Sequence, residues 1–217
     1  MCFLCNFNKL WNFYCNFAIN SSERKFSHMG VRRILARIRH IGSGRGFGIQ
    51  SPADYSFVCN VINERMPYYA YEELKKQLPN LTSLQRRKCE LLFRIANFLQ
   101  PQATVNIGMP QCFEKYVLGG CKKTTIHNIY NNVSGTGRLL ILASYGSLKY
   151  KGEDDILRLL QHGSCLVIDN INGNKNARLV WQSLIADNRC TICFDLYDMG
   201  IIMADDKRSK AFYAINY

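Results

Sequence analysis

The sequence predicts an α/β fold with a mostly parallel sheet that ends in an antiparallel C-terminal hairpin. A long amphipathic helix within residues 82–100 leads directly into a short apolar strand, ATVNIG, that ends at Gly108. A second stretch, CLVIDN at residues 165–170, has the nearly uninterrupted hydrophobicity of a strand covered on both faces. Ligands of such folds bind beyond the carboxyl ends of the strands, so we expect the functional site near Gly108.

The composition limits the class of protein. The chain has 217 residues, of which 47% are hydrophobic, and this suits either one domain or one domain with an appendage. Its net charge of +12 favours an anionic partner, although many domains are simply basic. Several of the ten cysteines lie in apolar runs, where free thiols are common, and no secretory signal is evident. We therefore expect a cytoplasmic protein without a transmembrane segment.

The N-terminal third divides into two regions. Residues 1–28 are rich in aromatic residues, Asn and Cys, and their apolar positions are too interrupted for a membrane span, so we expect a poorly ordered extension. Residues 29–81 are predicted to be a basic helical region. Its first helix, GVRRILARIRHI, is either a solvated amphipathic helix or a contact for RNA phosphates or lipid headgroups. The arginines of that contact would be Arg32, Arg33, Arg37 and Arg39.

Two further helices are predicted before residue 82. The segment ADYSFVCNVI forms one, and a shorter helix follows the break at Pro67. The residues predicted to face inward are Tyr55, Val58, Val61 and Ile62 in the first helix, and Tyr69, Tyr71 and Leu74 in the second.

From residue 82 the chain is predicted to form the main domain, residues 82–217. Thr82 and Gln85 have the spacing of a capping box, and Pro101 ends the helix that they begin. The apolar face of this helix is predicted to contain Leu84, Leu91, Leu92, Ile95, Phe98 and Leu99.

Strands and helices then alternate to the end of the chain. Strands are predicted at TTIHNI, RLLILAS and CLVIDN, and helices at residues 114–118, 152–163 and 174–187. The C-terminal segments CTICFDLY, GIIMA and AFYAINY are short and separated by turns, which favours an antiparallel hairpin at the end of the sheet.

The order of these segments resembles class I S-adenosylmethionine-dependent methyltransferases, in particular an O-methyltransferase-like bacterial branch. The most telling segments are GFGIQSPADYSFVCNVI and YYAYEEL, followed by ATVNIG, CLVIDNI and FDLYDMGIIM. The resemblance extends over residues 31–217. It implies a Rossmann-like sheet of seven strands flanked by helices, with the last strand antiparallel, and methyl transfer from S-adenosylmethionine.

The resemblance also implies the site residues. The cofactor-binding positions would be Asn106, Gly108, Asn128 and Asp169. Asp169 would be the catalytic residue, and Asp169 with Asn170 would bind Mg²⁺. His127 or His162 could serve as a general base, although a histidine at a sheet edge is more often a satisfied polar group.

The chain departs from the family at several of these positions. Asn106 stands where the family has an acidic residue, and no carboxylate lies near Asn128. After Gly108 the turn contains no further glycine and has a proline, which removes a backbone donor. The first metal-ligand position falls near Ser144, which carries no carboxylate. Only about ten residues separate TTIHNI from RLLILAS, so we expect one strand of the family sheet to be missing.

These departures favour a degenerate methyltransferase-like protein over an active enzyme. The cofactor would be S-adenosylmethionine if binding is retained, with Mg²⁺ doubtful because the first ligand position lacks its carboxylate. The alternative is a non-catalytic binding protein on a methyltransferase scaffold that contacts nucleic acid or another polyanion through the arginine-rich helix.

Overall fold

In a computed structural model of the protein, the described residues are 48–128 and 137–217, without the side chains of Tyr150 and Lys151. The predicted extension at residues 1–28 lies outside the described residues, and so does the arginine-rich helix with Arg32, Arg33, Arg37 and Arg39. Among the helices that are described, none is long and apolar enough to span a bilayer.

Seven strands form one sheet in the order β2-β1-β3-β4-β6-β5-β7. They are β1 (Ala103–Ile107), β2 (Thr125–His127), β3 (Leu139–Ser144), β4 (Cys165–Asp169), β5 (Ile192–Asp195), β6 (Met199–Met203) and β7 (Ala211–Ala214). Strand β6 is antiparallel to both of its neighbours, β4 and β5, and every other pair is parallel. The predicted α/β fold with an antiparallel C-terminal hairpin is confirmed.

The count of seven strands includes β7, which pairs with β5 at one edge of the sheet. The strand expected to be missing would lie between β2 and β3. Residues 128, 137 and 138 of that interval are not in a strand, and residues 129–136 lie outside the described residues. In the described part of the chain, β2 therefore forms the other edge.

Helices cover both faces of the sheet. They are α1 (Pro52–Phe57), which continues as a π-helical segment (Val58–Ile62), α2 (Tyr69–Gln77), α3 (Ser83–Leu99), α4 (Gln111–Gly120), α5 (Tyr145–Lys151), α6 (Glu153–Leu157) and α7 (Lys175–Ala186). Leu140 and Leu142 of β3 contribute to the core under α1 to α4, whereas Leu139 and Ile141 contribute to the core under α5 to α7. This alternation is the two-residue period of a strand buried on both sides.

Helix α3 begins and ends as its sequence predicts. The Thr82 hydroxyl accepts from the Gln85 N–H at 3.2 Å, and the Gln85 side chain accepts from the Thr82 N–H at 3.0 Å. Gln100 ends the helix in the left-handed conformation, directly before Pro101. Two predicted inward residues are wrong: Leu84 is 38% exposed and Phe98 is 50% exposed. Both lie near an end of α3, and the Phe98 ring still contacts the Phe57 ring of α1, with centroids 5.3 Å apart.

The buried face of α1 is also displaced from its prediction. Tyr55 is 49% exposed, whereas Asp54 is buried. Asp54 faces inward because its carboxylate accepts two hydrogen bonds from Arg208, at 2.6 and 2.8 Å, and one from the Tyr213 hydroxyl at 3.0 Å. A buried carboxylate with these partners fixes the face of the helix as strongly as an apolar side chain does. Tyr69, at the start of α2, is fully exposed and is likewise not an inward residue.

A buried arginine, Arg94, links the helices that precede α3 to the C-terminal residue Tyr217. Arg94 of α3 is 5% exposed, and its guanidinium donates to the carbonyl oxygens of Val61 (2.6 Å) and Ile62 (3.3 Å). These carbonyls end the π-helical segment and have lost their helical partners. The same guanidinium contacts the hydroxyls of Tyr71 (3.4 Å) and Tyr217 (3.3 Å). One side chain therefore satisfies polar groups from three separate parts of the chain.

We predict that Arg94→Met lowers the free energy of unfolding by about 3 kcal/mol, because it leaves two buried carbonyl oxygens without donors. Arg87→Met on the same helix is the matched control. Arg87 is exposed and stacks on the Tyr217 ring at 4.2 Å, an interaction worth about 0.5–1 kcal/mol. Urea denaturation measures both variants. Equal losses would contradict the role assigned to Arg94.

Candidate functional site at the carboxyl edge of the sheet

The strands β1, β3 and β4 end together and bring most of the predicted site residues to one edge of the sheet. Ile107 pairs with Ala143, and Ser144 pairs with Asp169, so Gly108, Ser144 and Asp169 follow one another across this edge. The register is set by the parallel pairing of three buried strands.

The polar atoms of the Asn106 side chain are all hydrogen-bonded within the turn that follows β1 and the start of α4. Its Oδ1 accepts from the Met109 N–H at 2.8 Å, and its Nδ2 donates to the Met109 carbonyl oxygen at 3.0 Å. The same Nδ2 also donates to the Glu114 carboxylate on α4. The carboxamide is 6% exposed, and each of its polar atoms has a partner within this turn and helix.

Gly108 lies against the first turn of α5. Its φ is +74°, which favours glycine, and a Cβ built on it would lie 2.0 Å from the Ser147 hydroxyl oxygen. Ser147 is held in place by Ser144, the N-cap of α5: the two hydroxyls are 2.8 Å apart, and the Ser147 N–H donates to the Ser144 hydroxyl at 3.2 Å. The space beside this glycine is occupied by a side chain of the protein.

Asp169 ends β4 and forms an ion pair with Lys88. The Lys88 ammonium lies 2.5 Å from Asp169 Oδ1, with side-chain exposures of 12% for Lys88 and 20% for Asp169. Lys88 lies on α3, 81 residues earlier in the chain. A pair this shielded from water is held firmly, since separating it would leave a charge without compensation.

The Asn170 side chain is packed within the loop that follows β4. Its backbone is left-handed, with φ of +64°, and its N–H donates to the Asp198 carbonyl oxygen at 2.7 Å. A Cβ built on Gly173 would lie within 2.5 Å of the Asn170 carboxamide, so this side chain covers the Gly173 backbone. The loop after β4 therefore uses Asn170 to close itself.

Of the remaining predicted residues, Asn128 lies at the same carboxyl edge, level with Asn106, because His127 pairs with Val105 in parallel; His162 lies elsewhere. Asn128 is exposed and follows the edge strand β2, and His127 at the end of β2 lies 3.0 Å from the Thr125 hydroxyl. His162 precedes β4 and therefore lies at the opposite end of that strand from Asp169. There its Nδ1 is 2.6 Å from Asp206 Oδ1 and 3.4 Å from Asp205 Oδ1. His162 is therefore wrong as a candidate base for this site. His162 forms, with Asp205 and Asp206, the one group of potential metal ligands found among the described residues, and this group is largely exposed.

Two titratable groups on α3 and α4, Glu90 and Tyr116, have raised pKa values. Burial raises the pKa of Glu90, while Arg94 and Arg86 nearby lower it. Burial likewise raises the pKa of the Tyr116 hydroxyl, with Arg86 lowering it. Neither the Tyr116 hydroxyl nor Nη1 of Arg86 has a hydrogen-bond partner within the described residues. Burial therefore disfavours the charged forms of Glu90 and Tyr116.

The sequence contains a signal for Lys88 that its apolar pattern conceals. Lys88 is four residues after Leu84 and four before Leu92, so it falls on the stripe predicted to be apolar. A lysine at such a position indicates a buried partner for its ammonium group. Ser147 and Glu114 carry no comparable signal, because their roles depend on how α5 and α4 leave the sheet.

The comparisons with known proteins are limited to structure. No family model matches the chain, and the search of curated proteins finds no match. A search of solved structures finds an SAH-bound methyltransferase of Podospora anserina, PaMTH1, with a TM-score of 0.43 and 12% sequence identity over 73% of this chain and 97% of that chain.

We predict that Gly108→Ala is far more costly than Gly48→Ala. Both glycines have positive φ, +74° and +88°, but a Cβ at Gly48 meets nothing within 4 Å. Gly48→Ala should cost about 1 kcal/mol of stability, and Gly108→Ala about 3 kcal/mol or more, because the new methyl group collides with Ser147. Adding Ser147→Ala should recover part of the loss. Urea denaturation measures each variant, and equal costs at both glycines would refute the packing role of Gly108.

Proposed function

We propose that this protein is a methyltransferase-like protein that has lost S-adenosylmethionine-dependent methyl transfer and acts through binding. The mostly parallel sheet, with β6 inserted antiparallel between β4 and β5, supports the scaffold. The family resemblance of the sequence supplies the expected cofactor and its expected position beside Gly108. The loss of activity follows from the side chain that occupies that position.

The contact between Gly108 and Ser147 carries the proposal. A glycine at the end of β1 would let a cofactor approach the backbone, yet here the approach is taken by the Ser147 hydroxyl, 2.0 Å from the site of a Cβ. Asn106 is bonded inside its own turn, and Pro110 has no N–H to offer. The residues present do not fit S-adenosylmethionine, and we derive no methyl-transfer step through them.

The predicted catalytic and metal-binding role of Asp169 meets the same difficulty. Its carboxylate is paired with the Lys88 ammonium, so the oxygen that would contact a substrate or a metal is already bonded within the protein. The sulfonium of S-adenosylmethionine is itself a cation, so a lysine at this edge is unfavourable for it. Mg²⁺ would require carboxylate or carbonyl ligands that Ser144 and Asn170 do not direct toward Asp169.

Binding to a polyanion remains the second candidate function, and the charge distribution favours it. Residues 1–47 contain eight Lys or Arg residues and one acidic residue, so they carry more than half of the net charge of +12. The proposed contact is the arginine-rich segment with Arg32, Arg33, Arg37 and Arg39. Four phosphate contacts in one short segment would give strongly salt-dependent association.

Calorimetric titration of the full-length protein with S-adenosylmethionine and S-adenosylhomocysteine, with and without Mg²⁺, tests the loss of the enzyme. We expect no binding tighter than about 1 mM, because the approach to Gly108 is occupied. A parallel thermal melt establishes that the sample is folded. Dissociation constants of about 10 μM for either ligand would overturn the proposal.

Fluorescence polarisation with a labelled single-stranded RNA tests the polyanion contact. We expect log Kobs to fall with log salt, and replacing Arg32, Arg33, Arg37 and Arg39 by Gln to reduce that slope by about 3, from about 0.7 for each lost contact. The control is Lys122→Gln with Lys123→Gln, an exposed pair that should leave the slope nearly unchanged. An equal effect of both variants would show attraction to net charge alone.

A further inference from the structure

Lys88 is placed by the most regular helix of the fold. Its neighbour Cys89 is buried in the core, and the helix is capped at Thr82, so the Lys88 stem leaves a fixed surface. With 12% of the side chain exposed, the ammonium has lost most of its water and depends on a carboxylate. The position of this cation is determined by the fold of α3 rather than by a flexible loop.

Asp169 offers its carboxylate at the carboxyl end of β4, where a divalent cation would have to bind. A metal such as Mg²⁺ lies about 2.1 Å from a ligand oxygen, and the Lys88 nitrogen lies 2.5 Å from Asp169 Oδ1. Two cations cannot share that small volume, because their repulsion in a partly buried site is large.

The other potential ligands at this edge are already bonded elsewhere. The Ser144 hydroxyl is paired with Ser147, and the Asn170 carboxamide covers the Gly173 backbone. Of the three positions that the family resemblance assigns to a metal, only Asp169 has a carboxylate. That carboxylate is already paired with the Lys88 ammonium.

We propose that the Lys88 ammonium is a built-in cation that takes the place of a divalent metal at Asp169 and thereby determines that this site binds no metal. The inference rests on the proposed function only in treating the edge as a former metal site. Its test uses metal binding and stability, whereas the proposed function is tested with S-adenosylhomocysteine, so either can fail alone.

Thermal melts of the full-length protein with and without 10 mM Mn²⁺ (about the concentration for a weak site) test the proposal. Mn²⁺ is chosen because it prefers oxygen ligands and avoids the ten cysteines. All proteins carry His162→Ala and Asp206→Asn, which remove two of the three ligands of the exposed group with Asp205 from the measurement.

Lys88→Met keeps the stem and removes the charge, so Asp169 loses its counter-ion. We expect the melting temperature to fall by about 6 °C or more without metal, and Mn²⁺ to restore about half of the loss. The parent protein should shift by less than about 1 °C with Mn²⁺. Adding Asp169→Asn to Lys88→Met should raise the melting temperature again and abolish the Mn²⁺ effect.

Two control variants separate charge from packing. Lys88→Arg retains the cation and should not respond to Mn²⁺, and Lys76→Met removes an exposed lysine and should change neither value. The proposal is overturned if Mn²⁺ stabilises Lys88→Met no more than the parent, or if the response persists when Asp169 is replaced by Asn.

A second measurement does not require Lys88→Met to fold. Electron paramagnetic resonance counts the Mn²⁺ ions bound by the parent protein and by Asp169→Asn alone. We expect the same number for both, since Lys88 already excludes metal from Asp169 in the parent. A bound ion that is present in the parent and lost in Asp169→Asn would overturn the proposal.

Discussion

The described part of the structure depends on the interactions of two cations on α3, Arg94 and Lys88, that are largely shielded from water. Arg94 faces the helices that precede α3 and supplies donors to carbonyl oxygens that the π-helical segment leaves open. Lys88, nearly two turns earlier, faces the sheet and neutralises the carboxylate at the end of β4. Because both charges are largely removed from water, each is stable only while its partners are in place, so α3 couples the N-terminal helices to the carboxyl edge of the sheet.

At that edge, the polar side chains that could bind a ligand instead form hydrogen bonds and packing contacts within the protein. Asn106 closes the turn before α4, Ser144 caps α5, and Asn170 covers the loop after β4. Each contact is local and satisfies a backbone or hydroxyl group that would otherwise need a partner. Together these contacts fix the surface at this edge, and all of them are made within the protein.

The sequence predicts the fold well because its signals are periodic and local. The capping box at Thr82, the apolar strand CLVID and the short segments of the C-terminal hairpin each follow rules that hold over a few residues. The errors arise where a distant partner decides burial: Asp54 replaces Tyr55 on the inner face of α1 because Arg208, 154 residues later, meets its carboxylate. Of the site, the sequence indicates the strand ends and the positions at which the chain departs from the methyltransferases that it resembles. It does not indicate that Ser147 occupies the approach to Gly108, since that depends on the direction in which α5 leaves β3.

The contact between Gly108 and Ser147 also bears on how mutational data for this protein should be understood. A glycine with positive φ and a neighbour 2.0 Å from its Cβ position is intolerant of every side chain, whether or not a ligand ever approaches it. A saturation-mutagenesis profile would therefore show the same sharp intolerance at this position as an active enzyme shows at its cofactor glycine. Intolerance at Gly108 is therefore no evidence for a bound cofactor, because packing against Ser147 alone produces it.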